Sequence, residues 1–172
     1  MANPTEKCQP WVVAGDPCIM EKRLIAGSQT FGVGTPVYMK DGYITQCVDS
    51  DATADKAIYG FVYAAAASPT AATEIYVARI NTNQLWAIWV SSNGTDTAAA
   101  LDIIGDQYGH SVETSSPFDG YMTLDLALTS HLSMSVENVM SNLDTKIVAT
   151  VATAPGVAIV RYLQAALDQV GP

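Results

Sequence analysis

Residues Glu74 to Gly94 read EIYVARINTNQLWAIWVSSNG, and this stretch decides the fold class. Two runs, Glu74 to Ile80 and Gln84 to Val90, are dense in β-branched and aromatic side chains. Such side chains fit a pleated, half-buried surface. Both runs have strand length and fall short of an ordinary helix. Asn81-Thr82-Asn83 lies between them and predicts a turn that pairs them, and Asn93-Gly94 predicts a second turn. Trp86 and Trp89 stand three positions apart, so in a strand they point to opposite faces. One is expected to fill the core and the other to face outward, where Trp is enriched at contact hot spots.

The same reading extends in both directions. Pro36 to Lys40 and Tyr43 to Cys47 flank Asp41-Gly42, the strongest short hairpin signal, because a type I′ turn needs positive φ at both central residues. Asp49 to Asp55 is a polar loop. Ile58 to Ala67 (IYGFVYAAAA) carries alanines that favour helix on propensity. Tyr59, Phe61, Val62 and Tyr63, with Pro69 close behind, favour strand, and strand is the expectation. Towards the C-terminus, Ala98 to Gly105 predicts a short helical segment ended by Gly105. Gln107 to Val112, Tyr121 to Leu128 and Met134 to Met140 alternate in the β manner, the last less cleanly at Asn138. Lys146 to Thr153 and Val157 to Leu163 are further β runs around Pro155-Gly156, and Gln164 to Val170 suits a terminal helical turn. The sum is about nine or ten short strands with turn signals at regular spacing. The expected fold is mostly β, a single β-barrel or β-sandwich.

Residues 1–30 differ. They hold Pro4, Pro10 and Pro17, two of the three cysteines and no sustained periodicity. Trp11-Val12-Val13 argues for order, since a disordered tail rarely contains such residues. The expected organisation is an extended N-terminal arm over 1–30 that orders on a neighbour, followed by a β domain over 31–172. Trp11, Val12, Val13, Trp86 and Trp89 are the candidate interface residues.

Composition restricts the function classes. Hydrophobic residues make up 49% of the chain and charged residues only 15%, against a usual quarter. A thin charged skin suits a protein that hides surface in contacts. The net charge is −9. Only Lys22 and Arg23 are adjacent among the basic residues, so the clustered footprint of a nucleic-acid binder or of an anionic-membrane binder is missing. Neither a signal peptide nor an 18-residue apolar span is legible, which predicts a protein that stays where it is made or leaves as part of something larger. The odd set Cys8, Cys18 and Cys47 is a poor disulfide framework.

Reactive side chains are not grouped. His110 and His131 each sit in or beside a β run and are expected to be structural. Asp102 and Asp106 are the closest carboxylate pair at helical spacing, but two acids alone do not define a hydrolase. Gly32-Val33-Gly34 lacks the later glycine and the Lys-Ser/Thr ending of a phosphate loop. Asp49, Asp51 and Asp55 start like a calcium loop, yet Thr53, Ala54 and Gly60 occupy the places that require Asp or Asn, Gly and Glu. The expectation is a non-enzymatic protein with no catalytic residues, cofactor or metal.

Gly32 to Ala66, which begins GVGTPVYMKDGYITQCVDS and ends GFVYAAA, resembles phage capsid decoration (cement) proteins in its order of short strand, turn, strand, polar loop and GFV strand. The likeness continues through Ala78 to His110, ARINTNQLWAIWVSSNGTDTAAALDIIGDQYGH, and covers roughly residues 31–165. It rests on layout rather than on an invariant motif. The resemblance implies a virion protein on the outer capsid surface that binds the major capsid protein, as a symmetric oligomer such as a trimer or dimer. It implies no catalytic or ligand residues. Other readings are a tail- or fibre-associated virion protein, a carbohydrate-binding β module and a small hydrolase.

Overall fold

The computed structural model describes residues 10–27, 29, 31–47, 58–63, 73–93, 95–96, 99, 101–112, 122–130, 132–140 and 156–163. Within them the chain is mostly β, as expected, with one short 3-10 turn at Leu101–Ile103. The strands are β1 (Trp11–Gly15), β2 (Ile19–Leu24), β3 (Pro36–Lys40), β4 (Tyr43–Gln46), β5 (Gly60–Val62) and β6 (Glu74–Arg79) in the first half. The second half holds β7 (Gln84–Ser92), β8 (Thr95–Asp96), β9 (Gln107–Val112), β10 (Met122–Asp125), β11 (Met134–Met140) and β12 (Val157–Tyr162).

They form two sheets. In the larger, β7, β10, β9, β11 and β12 follow one another, and β12 pairs back onto β7. This closes a five-stranded barrel, to which β1 and β8 are added through β7. The smaller sheet runs β2-β6-β5-β3-β4. It curls until Ile25, just past β2, bridges Ile44 of β4. Closure of this kind removes the open edges that sheets otherwise present.

Three apolar clusters hold the sheets. Alternate residues of β7 serve two of them: Trp86, Ile88 and Val90 point into the main core, while Leu85, Ala87 and Trp89 pack on the opposite face with Val157, Ile159 and Trp11. The main core joins the barrel interior to Tyr38, Phe61 and Ala78 of the smaller sheet. Its centre is an aromatic group: the Trp86 ring lies 5.0 Å from Phe61 and 6.4 Å from Tyr162, the latter edge-on. Burial pushes the Tyr162 hydroxyl well above its usual pKa, and it donates to Met122 Sδ at 3.4 Å. The third cluster, with Ile25, Val37, Ile44, Ile75 and Val77, fills the curl of the smaller sheet.

Local signals explain several elements. Asp41 and Gly42 have φ of 52° and 83°, the left-handed pair that joins β3 to β4 as a tight hairpin. Gly60 is required because a Cβ there would overlap the Ala78 carbonyl across the β5–β6 ladder. The uneven alternation near Asn138 is a β-bulge: the register of β11 on β12 shifts between Val136 and Asn138, and Val139 rather than Asn138 returns to the core.

Two expectations need correction. Glu74–Arg79 and Gln84–Ser92 are not a hairpin, because β6 belongs to the smaller sheet and β7 to the larger. Each has both edges taken by other strands: β6 by β2 and β5, β7 by β1 and β10 on one side and β12 on the other. The turn at Asn81 to Asn83 therefore carries the chain between sheets. Nor is the segment over 10–27 an arm apart from the body. β1 pairs with β7 and half-buries Trp11 and Val12, and β2 pairs with β6 along its whole length, so this segment supplies one strand to each sheet. Residues 1–9, the polar loop at 49–55, Lys146 to Thr153 and Gln164 to Val170 lie outside the described residues.

Candidate functional site

The chain crosses between the sheets twice, side by side. Gly15 at the end of β1 pairs with Gln84 at the start of β7, and φ of 95° with no room for a Cβ makes Gly15 necessary there. Gln84 is fully buried and pins both crossings. Its amide NH2 donates to the carbonyls of Asp16 and Pro17 at 3.4 and 3.2 Å, and its oxygen accepts from Asn81 N–H and Trp86 Nε1–H at 3.0 and 3.2 Å. All four of its hydrogen-bonding positions are used, as a buried amide requires.

Beyond this clamp the two sheets part and leave an apolar groove of about 180 Å³. Trp11 and Val12 of β1 form one wall, Cys18 and Met20 a second, and Phe61 and Tyr63 a third, with Trp86 also lining it. Burial raises the Cys18 thiol above its usual pKa. A cavity of roughly 150 Å³ holds a benzene-sized group, so this groove has room for one large side chain.

Exposed apolar residues lie at the groove and on the sheet face beside it: Met20 is 40% exposed, Tyr63 61% and Tyr76 47%. Their order follows from the ladder. Met20 lies opposite Ala78, which lies opposite Phe61; in the next row outward Lys22 lies opposite Tyr76, whose carbonyl accepts Tyr63 N–H at 2.9 Å. Both rows share one face of the smaller sheet.

The edge of β1 adjoins the groove. β1 pairs only with β7, and its other edge has no strand partner among the described residues. Its sequence, Trp11-Val12-Val13-Ala14-Gly15, contains no charge and no proline, two of the usual means of guarding an edge. A register shift between Val12 and Ala14 leaves Val13 as the bulged residue.

The five residues singled out from sequence fall as follows. Trp11 and Val12 are half-buried on opposite faces of β1, and Val13 is exposed. Trp86 is 2% exposed in the main core. Trp89 does point to the opposite face, but it is 1% exposed, so the outward-facing Trp is covered rather than free. Four of the five gather at the groove or the β1 edge, and Trp89 does not. Sequence reasoning missed Cys18, Met20 and Tyr63, because only the curl of the smaller sheet brings β2 and the end of β5 against β1.

Elsewhere several titratable groups are held by hydrogen bonds or ion pairs. Glu21 accepts from Arg23 and from the Tyr59 hydroxyl, and pairs with Arg79 Nη1 at 3.4 Å. Burial pushes the Glu21 carboxyl up, but Tyr59 and the two guanidiniums outweigh it and hold the carboxyl below its usual value. Asp125 is 2% exposed and accepts from Ser111 Oγ at 2.6 Å and from the amides of Asn93 and Ala127 at 3.0 and 2.9 Å. His110 is buried with Nδ1 3.1 Å from Ser133 Oγ. Asp102, within the 3-10 turn, and Asp106, three residues past it, are exposed, and Asp106 accepts from Tyr108. Among the described residues no three His, Cys, Asp or Glu gather where a metal ion could bind, and no helix is long and apolar enough to cross a membrane. His131, Cys8, Asp49, Asp51 and Asp55 lie outside the described residues. No protein-family model, curated protein or solved structure matches the chain.

Proposed function

We propose that this protein works by adhesion, as a virion decoration protein that binds the major capsid protein on the outer surface of the head and braces the lattice, itself a homo-oligomer. The observation that carries the reading is the uncharged open edge of β1 beside a row of exposed apolar side chains. A protein that stays single in solution rarely leaves such a surface unguarded. The net charge of −9 supports an outward-facing role over one that lines packaged DNA. Many identical contacts on a lattice then reinforce one another through effective concentration.

The experiment is co-sedimentation of the purified full chain with DNA-free, expanded capsid shells. Saturable binding at a fixed ratio to the capsid protein is the expected result, and failure to pellet with the shells at any concentration rules the reading out. A carbohydrate-binding reading draws on the adjacent exposed Tyr63 and Tyr76, whose rings would stack on sugars. Specific signals on a glycan array would favour it.

A further inference from the structure

We infer that β1 and the groove together form a strand-addition site, which takes an extended apolar segment of a partner protein flanked by basic residues. This rests on the adhesion reading and specifies where and how the contact forms. Three observations converge on it. Among the described residues no strand pairs with the outer edge of β1, so the main-chain donors and acceptors on that side of an uncharged strand have no strand partner. The groove lies alongside, between β1 and Met20, and has room for one large side chain. Val12, half-buried against the main core, shows which face of an added strand would look into it.

Geometry then dictates the chemistry of the occupant. Side chains of an added strand alternate, so every second one points to the groove side. One large apolar residue, Phe, Leu or Ile, drops between Trp11, Val12, Met20 and Phe61, and a smaller one follows two positions on. Main-chain bonds give affinity and the pocket gives selectivity, as in other strand-addition complexes. Antiparallel pairing, the slightly more stable arrangement, sets the start of the partner strand beside Asp16 at the end of β1. Asp16, and a chain whose net charge is −9, favour Lys or Arg at that position and disfavour an acid. The same charge argues against a second copy of this chain as the occupant.

The test uses the full chain in a Cys8→Ser background and the synthetic peptide acetyl-KTFTVTK-amide, with tryptophan fluorescence and the rate of Cys18 alkylation as readouts. Saturable binding with at least about fivefold protection of Cys18 is expected. Replacing Phe and Val of the peptide by Ser weakens binding at least about tenfold. Methylating alternate backbone nitrogens on the ladder side abolishes it, while methylating the other set does not. Replacing both Lys by Glu weakens it severalfold, and more so at low salt. Val13→Lys, an exposed change that leaves the fold intact, also weakens it at least about tenfold. Equal binding by both methylated peptides would show a greasy pocket without strand addition and end the proposal, as would an absence of peptide binding by the folded chain. Capsid binding that persists unchanged in Val13→Lys removes this site and leaves the adhesion reading standing; loss of both peptide and capsid binding in that variant is the result expected. Peptide binding without capsid binding upholds the site and overturns the capsid reading.

Discussion

β1 and β2 are consecutive strands, each paired antiparallel to one neighbour, yet their edges are treated in opposite ways. β2 (IMEKRL) spends half of its residues on charge. Glu21 and Arg23 join Arg79 and Tyr59, Lys22 reaches Glu74 at 3.6 Å and lies over the Tyr76 ring, and the Ile25–Ile44 bridge closes the sheet just beyond. β1 (WVVAG) has none of these devices. Exposed ion pairs contribute little to stability, so the charges on β2 serve chiefly to keep other chains off. On the proposed reading, their absence from β1 marks the edge at which contact is made.

The largest effect tests what mounts β1 on the body. Trp86 lies opposite Val12, lines the groove and centres the aromatic core. Trp86→Ala should cost about 4 kcal/mol in urea unfolding, the usual loss for a buried Trp. A cost under about 1 kcal/mol would mean that β1 and the core are not coupled.

Next comes removal of residues 1–15. An arm could be cut away with no loss, but β1 covers one edge of β7 and half-buries Trp11 and Val12. Truncation should cost about 2 kcal/mol through lost apolar burial, and should promote aggregation through the bared β7 edge. An unchanged unfolding midpoint would restore the arm.

A smaller effect concerns β2. The folded Glu21 carboxyl titrates below its usual value of 4.5, so its contribution is complete above that pH and fades as pH falls through the lower folded value. Glu21→Gln should therefore be less stable than the parent at pH 7 by about 1 kcal/mol or less, with the gap closing as pH falls through that lower folded value. A gap that widens in acid would contradict the assigned partners.

Much of this was legible in the sequence. The Asp41-Gly42 hairpin, the strands around Trp86 and Val160 and the 3-10 turn before Gly105 follow from local rules, because turn φ angles and side-chain alternation are fixed by neighbours in the chain. The sheet that each strand joins was not legible. Glu74–Arg79 and Gln84–Ser92 read as a hairpin, but strands far away in sequence compete for their edges and win. For the same reason the site was half seen. Trp11, Val12 and Val13 stood out for lying where an arm should be polar, whereas Met20, Cys18 and Tyr63 become a site only through the curl of the smaller sheet. Trp89 looked like a contact residue by its face alone, and face does not report what covers it.

The most direct test exchanges the two edges. Val13→Lys gives β1 the guard that β2 carries, and Lys22→Val removes one from β2. Both positions are exposed, so each change should leave stability within about 0.5 kcal/mol. In co-sedimentation with expanded capsid shells, Val13→Lys should lower binding at least about tenfold and Lys22→Val should leave it intact. Undiminished binding by a folded Val13→Lys chain would contradict the claim that the unguarded edge is where this protein holds its partner.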